Sequence, residues 1–269
     1  MKTMLAPSLA LLTVFCASSV FAAPALRTET GQELGLSVSY YKFEVSDVDL
    51  DDEYRLTGTE LDGVKIGVDY TTTMALQNDW FFKINGRLAY GQVDASAEAN
   101  GYPLDLDDNS DLYYEIRPLL GKDFFITQGI LAPYIGFGYR HLRNELSGND
   151  ETGAFDFDRT SQYYYLPVGL IYRAALDSQS QLETTLEYDY LIRGEQDSDI
   201  SADGSSDSSE NTQNNGYGIK FSSLYRINDL AFGPYIDYWN IDKSDLSDVG
   251  YYEPGNETFE VGVKASMRF

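Results

Sequence analysis

The sequence predicts an all-β fold: a single antiparallel up-and-down barrel of about ten strands that crosses a membrane, preceded by a cleaved leader. Three observations carry that expectation. The final eleven residues alternate without a break, with Phe259, Val261, Val263, Ala265, Met267 and Phe269 apolar and the positions between them polar or small. Such a period of two gives a strand one face for lipid and one for water. Similar segments recur along the chain, joined by connections that are short and long in strict turn. Finally, aromatic residues make up 14% of the chain, with 22 Tyr, yet no apolar run beyond the leader approaches the length of a spanning helix.

At the amino end, Lys2 precedes an apolar stretch from Leu5 to Val20 and the small-residue pattern Phe21, Ala22, Ala23. This reads as a secretory signal peptide over residues 1–22, leaving 23–269 as one barrel domain. Two readings compete with it. A membrane anchor would be short and is interrupted by Pro7, Thr13, Ser18 and Ser19, and a lipoprotein signal ending at Cys16 would want a small residue where Phe15 stands. Removal of the leader takes the only cysteine with it, so the exported chain needs no disulfide.

The strand segments fall near 32–45, 59–75, 80–95, 111–126, 130–144, 161–175, 181–194, 215–227, 230–243 and 257–269. A tilted strand needs about 9 to 11 residues to cross the hydrocarbon layer, so each suffices. Short connections lie at 77–79, 127–129, 177–180 and 228–229, all turn-forming types. Long ones lie near 46–58, 96–110, 145–160, 195–214 and 244–256, and Glu195 to Glu210, nearly pure Ser, Asp and Gly, reads as a mobile surface loop. Phase slips near Tyr40-Tyr41 and Pro234-Tyr235 suggest bulges.

Sidedness follows from the alternation. Val64, Ile66, Val68 and Tyr70, Leu182, Leu186, Tyr188, Tyr190 and Ile192, and Ile135, Phe137 and Tyr139 would face lipid. The opposite phase puts Lys65, Asp69, Lys83, Arg87, Glu115, Arg117, Arg140, Arg173, Glu183, Glu187, Asp189, Arg193, Lys220, Arg226, Lys264 and Arg268 on the lumen, together with Glu260. Trp80, Phe81, Phe82, Phe124, Phe125 and Phe269 would form one aromatic girdle, and Tyr90, Tyr139, Tyr163 and Tyr164 the other.

A closing strand that stops on Phe269 resembles that of bacterial outer-membrane β-barrels. The resemblance implies a Gram-negative outer membrane, contact with lipid and lipopolysaccharide, recognition of Phe269 by the barrel assembly machinery, short turns and both termini in the periplasm, and long loops outside. A soluble all-β domain with an aromatic core fits such long, regular strands less well.

Function is less legible. The net charge of −24 repels nucleic acid. Converging lumen charges are compatible with a narrow, cation-favouring path for small solutes, but favour a plug of salt bridges that satisfy one another. The acidic runs Asp47, Asp49, Asp51, Asp52, Glu53 and Asp105, Asp107, Asp108, Asn109, Asp111 could hold a divalent cation, but lack the glycine turn and closing glutamate of an EF-hand. Strand count and size also resemble the omptin proteases, whose site pairs a histidine with an aspartate two residues earlier on a late strand. Here the only histidine, His141, follows Tyr139, so that activity is not carried over. His141 shares the lipid-facing phase of barrel enzymes that modify lipid A, but no serine can be placed beside it. The sequence therefore predicts a porin-like surface barrel with no catalytic residue, metal or cofactor. An adhesin or receptor acting through its loops is the alternative, and an enzyme the third reading.

Overall fold

The computed structural model describes residues 26–46, 48–51, 54–99, 102–150, 153–202, 205–246 and 252–269. The expected leader, with Cys16, and Asp47, Asp52 and Glu53 lie outside the described residues. No described helix is long and apolar enough to cross a membrane.

Fourteen strands run in chain order: β1 (Gly31–Val45), β2 (Val48–Asp51), β3 (Tyr54–Ala75), β4 (Trp80–Ala99), β5 (Tyr102–Lys122), β6 (Phe124–Ile126), β7 (Gly129–Gly136), β8 (Gly138–Asp150), β9 (Gly153–Ala175), β10 (Ser180–Ala202), β11 (Ser205–Gln213), β12 (Gly216–Ile227), β13 (Leu230–Ile241) and β14 (Asn256–Arg268). They make ten staves, because β1 with β2, β5 with β6, β7 with β8 and β11 with β12 each hold a single register across a short break. Every neighbour is antiparallel, and β14 pairs with β1 (Val38 opposite Val263), closing the barrel.

The breaks have chemical causes. Between β7 and β8, Phe137 sits opposite Pro118, which has no N–H to offer the ladder, and only the Phe137 N–H reaches across, to the Pro118 carbonyl. Pro234 interrupts the β12–β13 ladder in the same way while the register stays constant, and β1 runs through Tyr40-Tyr41 without a slip. Neither expected bulge is present. Register shifts occur instead at Asp49/Asp51, Thr57/Glu60, Val93/Ala95 and Leu191/Arg193.

The last of these corrects one predicted lumen residue. Leu191 is buried, and the extra residue turns Arg193 outward, where its side chain is 56% exposed and pairs with Glu195.

At one end the staves are joined by tight turns, with Asn78, Asp79 and Asn228 at positive φ. At the other, the expected loops are mostly paired backbone: β4 and β5 stay paired past the shift at Val93/Ala95 to Ala99 and Tyr102, and β8 and β9 to Asp150 and Gly153. The polar run from Glu195 is not a free loop either, since β10 continues to Ala202 between β9 and β11. Among the described residues at this end, strand structure is lacking at Ser46, at 214–215 and over the longer stretches 242–246 and 252–255 between β13 and β14. Beyond the lipid layer neither face needs to be apolar, so strands can continue without the alternation that marks them in sequence.

The barrel is apolar outside and polar inside. Leu36, Ile66, Ile135 and Val263 are exposed on its outer surface, while Lys65, Glu115, Arg140 and Glu187 are buried within. A band of this kind is stable only against hydrocarbon. The aromatic girdles need two corrections: Phe81 and Tyr163 are fully buried in the interior, whereas Trp80, Phe124, Phe125, Tyr90 and Phe269 are exposed as expected.

Candidate functional site

The interior divides along the barrel axis. In the half nearer the hairpins it is filled by a continuous buried cluster that includes Tyr41, Tyr113, Tyr163, Tyr165, Leu191 and Trp239. The Trp239 ring meets Tyr165 edge-on at 4.9 Å and lies 4.8 Å from the Arg140 guanidinium. Lys65 is held between the Tyr41 ring, 3.1 Å from its centroid, and Asp111 at 2.5 Å. Asp111, expected on an acidic loop, is therefore a buried interior partner.

These large rings are accommodated by glycines directly opposite on the next stave. Gly138 faces Tyr165, Gly194 faces Tyr163 and Gly218 faces Trp239. A Cβ on Gly218 would lie 2.7 Å from Trp239 Cε2. The signal was present in the run Tyr163-Tyr164-Tyr165: in a strand, the first and third rings must share a face, and only the middle one can look at lipid.

Above this cluster the described stretches between β13 and β14, residues 242–246 and 252–255, fold over the barrel mouth. Arg159 binds Glu253 at 2.7 Å, both side chains nearly fully buried. The Glu253 N–H donates to Ser244 Oγ, the Gln213 amide donates to the Asp242 and Pro254 carbonyls, and the Ser46 N–H donates to the Gly255 carbonyl. Burial pushes the Glu253 carboxyl above its ordinary range, and Arg159 opposes this.

In the half nearer the turns the interior is hollow. A cavity of ≈ 230 Å³ is lined by nine basic side chains and seven carboxylates. Arg87 pairs with Glu260, and more distantly with Asp69. Arg117 spans Glu187 and Glu115, and Lys220 binds Glu115 beside Asp237 and Asp189. Arg226 holds Glu33 at 2.8 Å, Arg173 holds Glu183 at 2.7 Å, and Arg268 holds Glu29 at 3.2 Å nearer the rim. Lys83 and Lys264 line the same space and, among the described residues, make no ion pair. Glu260, Asp123 and Asp189, which bind lining cations from just behind the wall, leave the cavity with no excess of positive charge.

One wall was not foreseen. Residues 26–30 cross the turn end, where the Thr28 N–H and hydroxyl both donate to Asp123, at 2.6 and 2.9 Å, and Arg173 binds both residues. Leu26 packs against the small apolar cluster of Phe81, Ile130, Tyr134 and Ile171.

His141 stands apart on the outer surface. Its ring stacks on Tyr114 at 4.5 Å, and among the described residues no carboxylate lies within 4.0 Å of it. No described group of three or more His, Cys, Asp or Glu side chains is placed to hold a metal ion. Within the first acidic run, only Asp49 and Asp51 are described, both in β2.

A closed ten-stave antiparallel barrel with an apolar exterior band and charged interior defines a membrane-spanning β-barrel. The sequence profile of the outer membrane protein beta-barrel domain matches residues 9–206, and the chain belongs to that family. No curated protein matches it. Among solved structures it is similar to the outer membrane protease OmpT from Escherichia coli, with a TM-score of 0.59 and 11% identity over 89% of this chain and 97% of that one. It also aligns with the outer membrane protein OprG from Pseudomonas aeruginosa, at a TM-score of 0.38 and 11% identity over 90% and 98% of the two chains. The attachment invasion locus protein Ail of Yersinia pestis aligns at 0.33 and 13%, over 90% and 100%. At such identities the likeness to OmpT is one of fold. The chain is thus an outer-membrane barrel in a lipid and lipopolysaccharide environment.

Proposed function

We propose that this barrel acts at the cell surface through its projecting hairpins, as an adhesin or receptor, and does not conduct solutes in its resting state. The observation that supports this reading is the seal: a buried aromatic layer topped by the Arg159–Glu253 clamp fills the hairpin half of the interior. A passage for even a small hydrated solute would require that layer to move. In this reading the turn end and both termini face the periplasm, the hairpins face outward, and Phe269, exposed at the end of β14, is the feature offered to the assembly machinery. An enzyme role finds little support, because the single histidine lies outside the barrel without an acidic partner.

The test is single-channel recording of the folded barrel in planar bilayers. Silence is expected from protein that shows heat-dependent gel mobility. Discrete steps that change when Lys220 or Glu187 is replaced would overturn the reading. Cells carrying a variant with residues 198–212 removed are expected to lose surface attachment while keeping the folded band, and undiminished attachment would count against that hairpin as the contact.

A second reading is favoured by the cavity itself. A polar vestibule that reaches the turn end is half of a solute pathway, and movement of residues 242–246 and 252–255 together with the aromatic layer beneath them would be needed to complete it. Conductance that appears only after loss of the Arg159–Glu253 pair would support this porin-like alternative.

A further inference from the structure

We propose that the turn end of the barrel is a peptide-binding site, filled in the free protein by the chain's own residues 26–30, which an extended segment of a partner protein with the same chemistry can replace. The receiving side is part of the barrel wall. Asp123, between β5 and β6, and Arg173 on β9 are both buried and pair at 3.2 Å, and Glu183 fixes the Arg173 guanidinium at 2.7 Å. The Asp123 backbone is fixed as well, since its N–H donates to the Asp79 carbonyl. A buried carboxylate needs donors for both oxygens, and Thr28 supplies them. Its N–H donates to Asp123 Oδ2 at 2.6 Å and its hydroxyl to Oδ1 at 2.9 Å, while that hydroxyl accepts from Arg173 Nη1 at 3.0 Å. A short hydroxyl side chain is what this pairing requires, so the position reads Ser or Thr.

Flanking contacts add a sequence preference. Two residues before Thr28, Leu26 packs against the interior cluster of Phe81, Leu119, Ile130, Tyr134 and Ile171. One residue after it, Glu29 meets Arg268 at 3.2 Å, and the Arg268 side chain lies over Gly31, where a Cβ would stand 2.7 Å from its Nε. Arg27 pairs with Asp79 at 2.7 Å. Both of these outer pairs are half in solvent and contribute little, so Leu26 and Thr28 carry the recognition. The pattern read is an apolar residue, any residue, Ser or Thr, then an acid.

The occupant is exchangeable because of how it is held. Strand structure begins at Gly31, so residues 26–30 are gripped by side chains and lie outside the ladders that lock β1 to β3 and β14. They nevertheless reach from β1 to Arg173 on β9, diametrically opposite in the order of staves. Leu26 to Glu29 also line the cavity, so a partner that replaces them uncovers it. A tethered strap competes at an effective concentration on the order of millimolar, which weakens any outside peptide until the strap is released. On the orientation proposed above the partner is periplasmic; the binding itself depends neither on that orientation nor on the hairpins.

The probe is a fluorescein-labelled peptide with the sequence of residues 24–31, titrated by anisotropy against the folded barrel in an uncharged detergent. Against L26G/T28G, whose own strap has lost both anchors, saturable one-to-one binding is expected, at least tenfold tighter than against the parent barrel. A peptide carrying Thr28→Val, which keeps the shape and loses the hydroxyl, should bind L26G/T28G at least tenfold more weakly than the unaltered peptide, and the unaltered peptide should lose as much on L26G/T28G/D123N. Absence of saturable binding to folded L26G/T28G would overturn the proposal. Equal affinity for L26G/T28G and the parent would overturn it too, by placing the contact elsewhere, as would a Thr28→Val peptide that binds like the unaltered one. Should L26G/T28G lose heat-dependent mobility, Thr28→Ala decides by the same criteria, with binding at least threefold tighter than to the parent expected.

Discussion

The two halves of the interior solve the same problem in different ways. Every inward position of a barrel must be filled or solvated. The hairpin half fills them with rings laid across glycines, whereas the turn half lines them with charges around a hollow. The first arrangement resembles the core of a soluble protein and gains from burial of apolar area. The second depends on electrostatic pairing, where each partner is tolerable only because the other is there. The difference teaches that "charged lumen" and "open lumen" are separate properties: this barrel is charged along much of its length but hollow over only part of it.

The comparison can be broken most forcefully at Trp239. Its ring touches Tyr165, covers Gly218 and carries Arg140. Trp239→Ala should therefore cost about 3–5 kcal/mol, measured as a lowered urea midpoint of the folded barrel in micelles. A loss below about 1 kcal/mol would mean that the hairpin half is loosely packed and the seal weak.

Next in size is a cut in the charged half. Glu187 accepts from Arg117 and from the Tyr134 hydroxyl, the latter at 2.6 Å. Glu187→Ala leaves the Arg117 guanidinium with only its longer contact to Glu115 and the Tyr134 phenol without its acceptor, and should cost about 3 kcal/mol in the same measurement. Restoration by the additional change Arg117→Met would show that the loss came from the abandoned charge and not from the space vacated.

A smaller effect is expected where the two strategies meet the backbone. Gly218→Ala drives a methyl into the Trp239 ring and should cost about 1–3 kcal/mol, because the ring is boxed in by Tyr165 and Arg140 and has little freedom to yield. In the double variant with Trp239→Ala the methyl would be tolerated, so the two costs should not add.

The alternation of side chains made the ten staves and the lipid-facing band legible, as Val64 to Tyr70 and Ile135 to Tyr139 illustrate. What escaped has a common physical origin. Arg193 was misplaced because one extra residue at Leu191 inverts the phase, and a bulge leaves no mark in composition. Glu195 to Glu210 read as loop because, beyond the lipid, backbone pairing imposes no apolar pattern. Phe81 and Tyr163 read as girdle because an aromatic near a membrane interface suits either face, and only the glycine opposite reveals which one it occupies: Gly121 for Phe81, Gly194 for Tyr163. For the candidate site, the sequence brought together Lys83, Arg87, Arg117 and Lys264 but could not tell which charges pair, since that depends on which stave lies across the lumen.

The subtlest contrast lies at Glu253, where the seal itself contains a charge. Burial raises its carboxyl above the ordinary range and Arg159 only partly offsets this. The folded chain therefore binds that proton more tightly than the unfolded chain does. It follows that Glu253 favours folding fully below its unfolded value of about 4.3, and that this contribution disappears as pH rises through the higher folded value. Glu253→Gln, which keeps the shape and an acceptor oxygen but cannot ionise, should then be more stable than the parent at pH 7.5, with the gap closing as pH falls to about 4. Glu253→Ala should be less stable than the parent at neutral pH, because it leaves Arg159 buried without a partner. Urea midpoints of the three proteins across that pH range separate the two terms. A Gln variant that is weaker at neutral pH, with no pH-dependent gap, would show that attraction by Arg159 outweighs burial and that the mouth of the barrel is held by charge, as the turn half is.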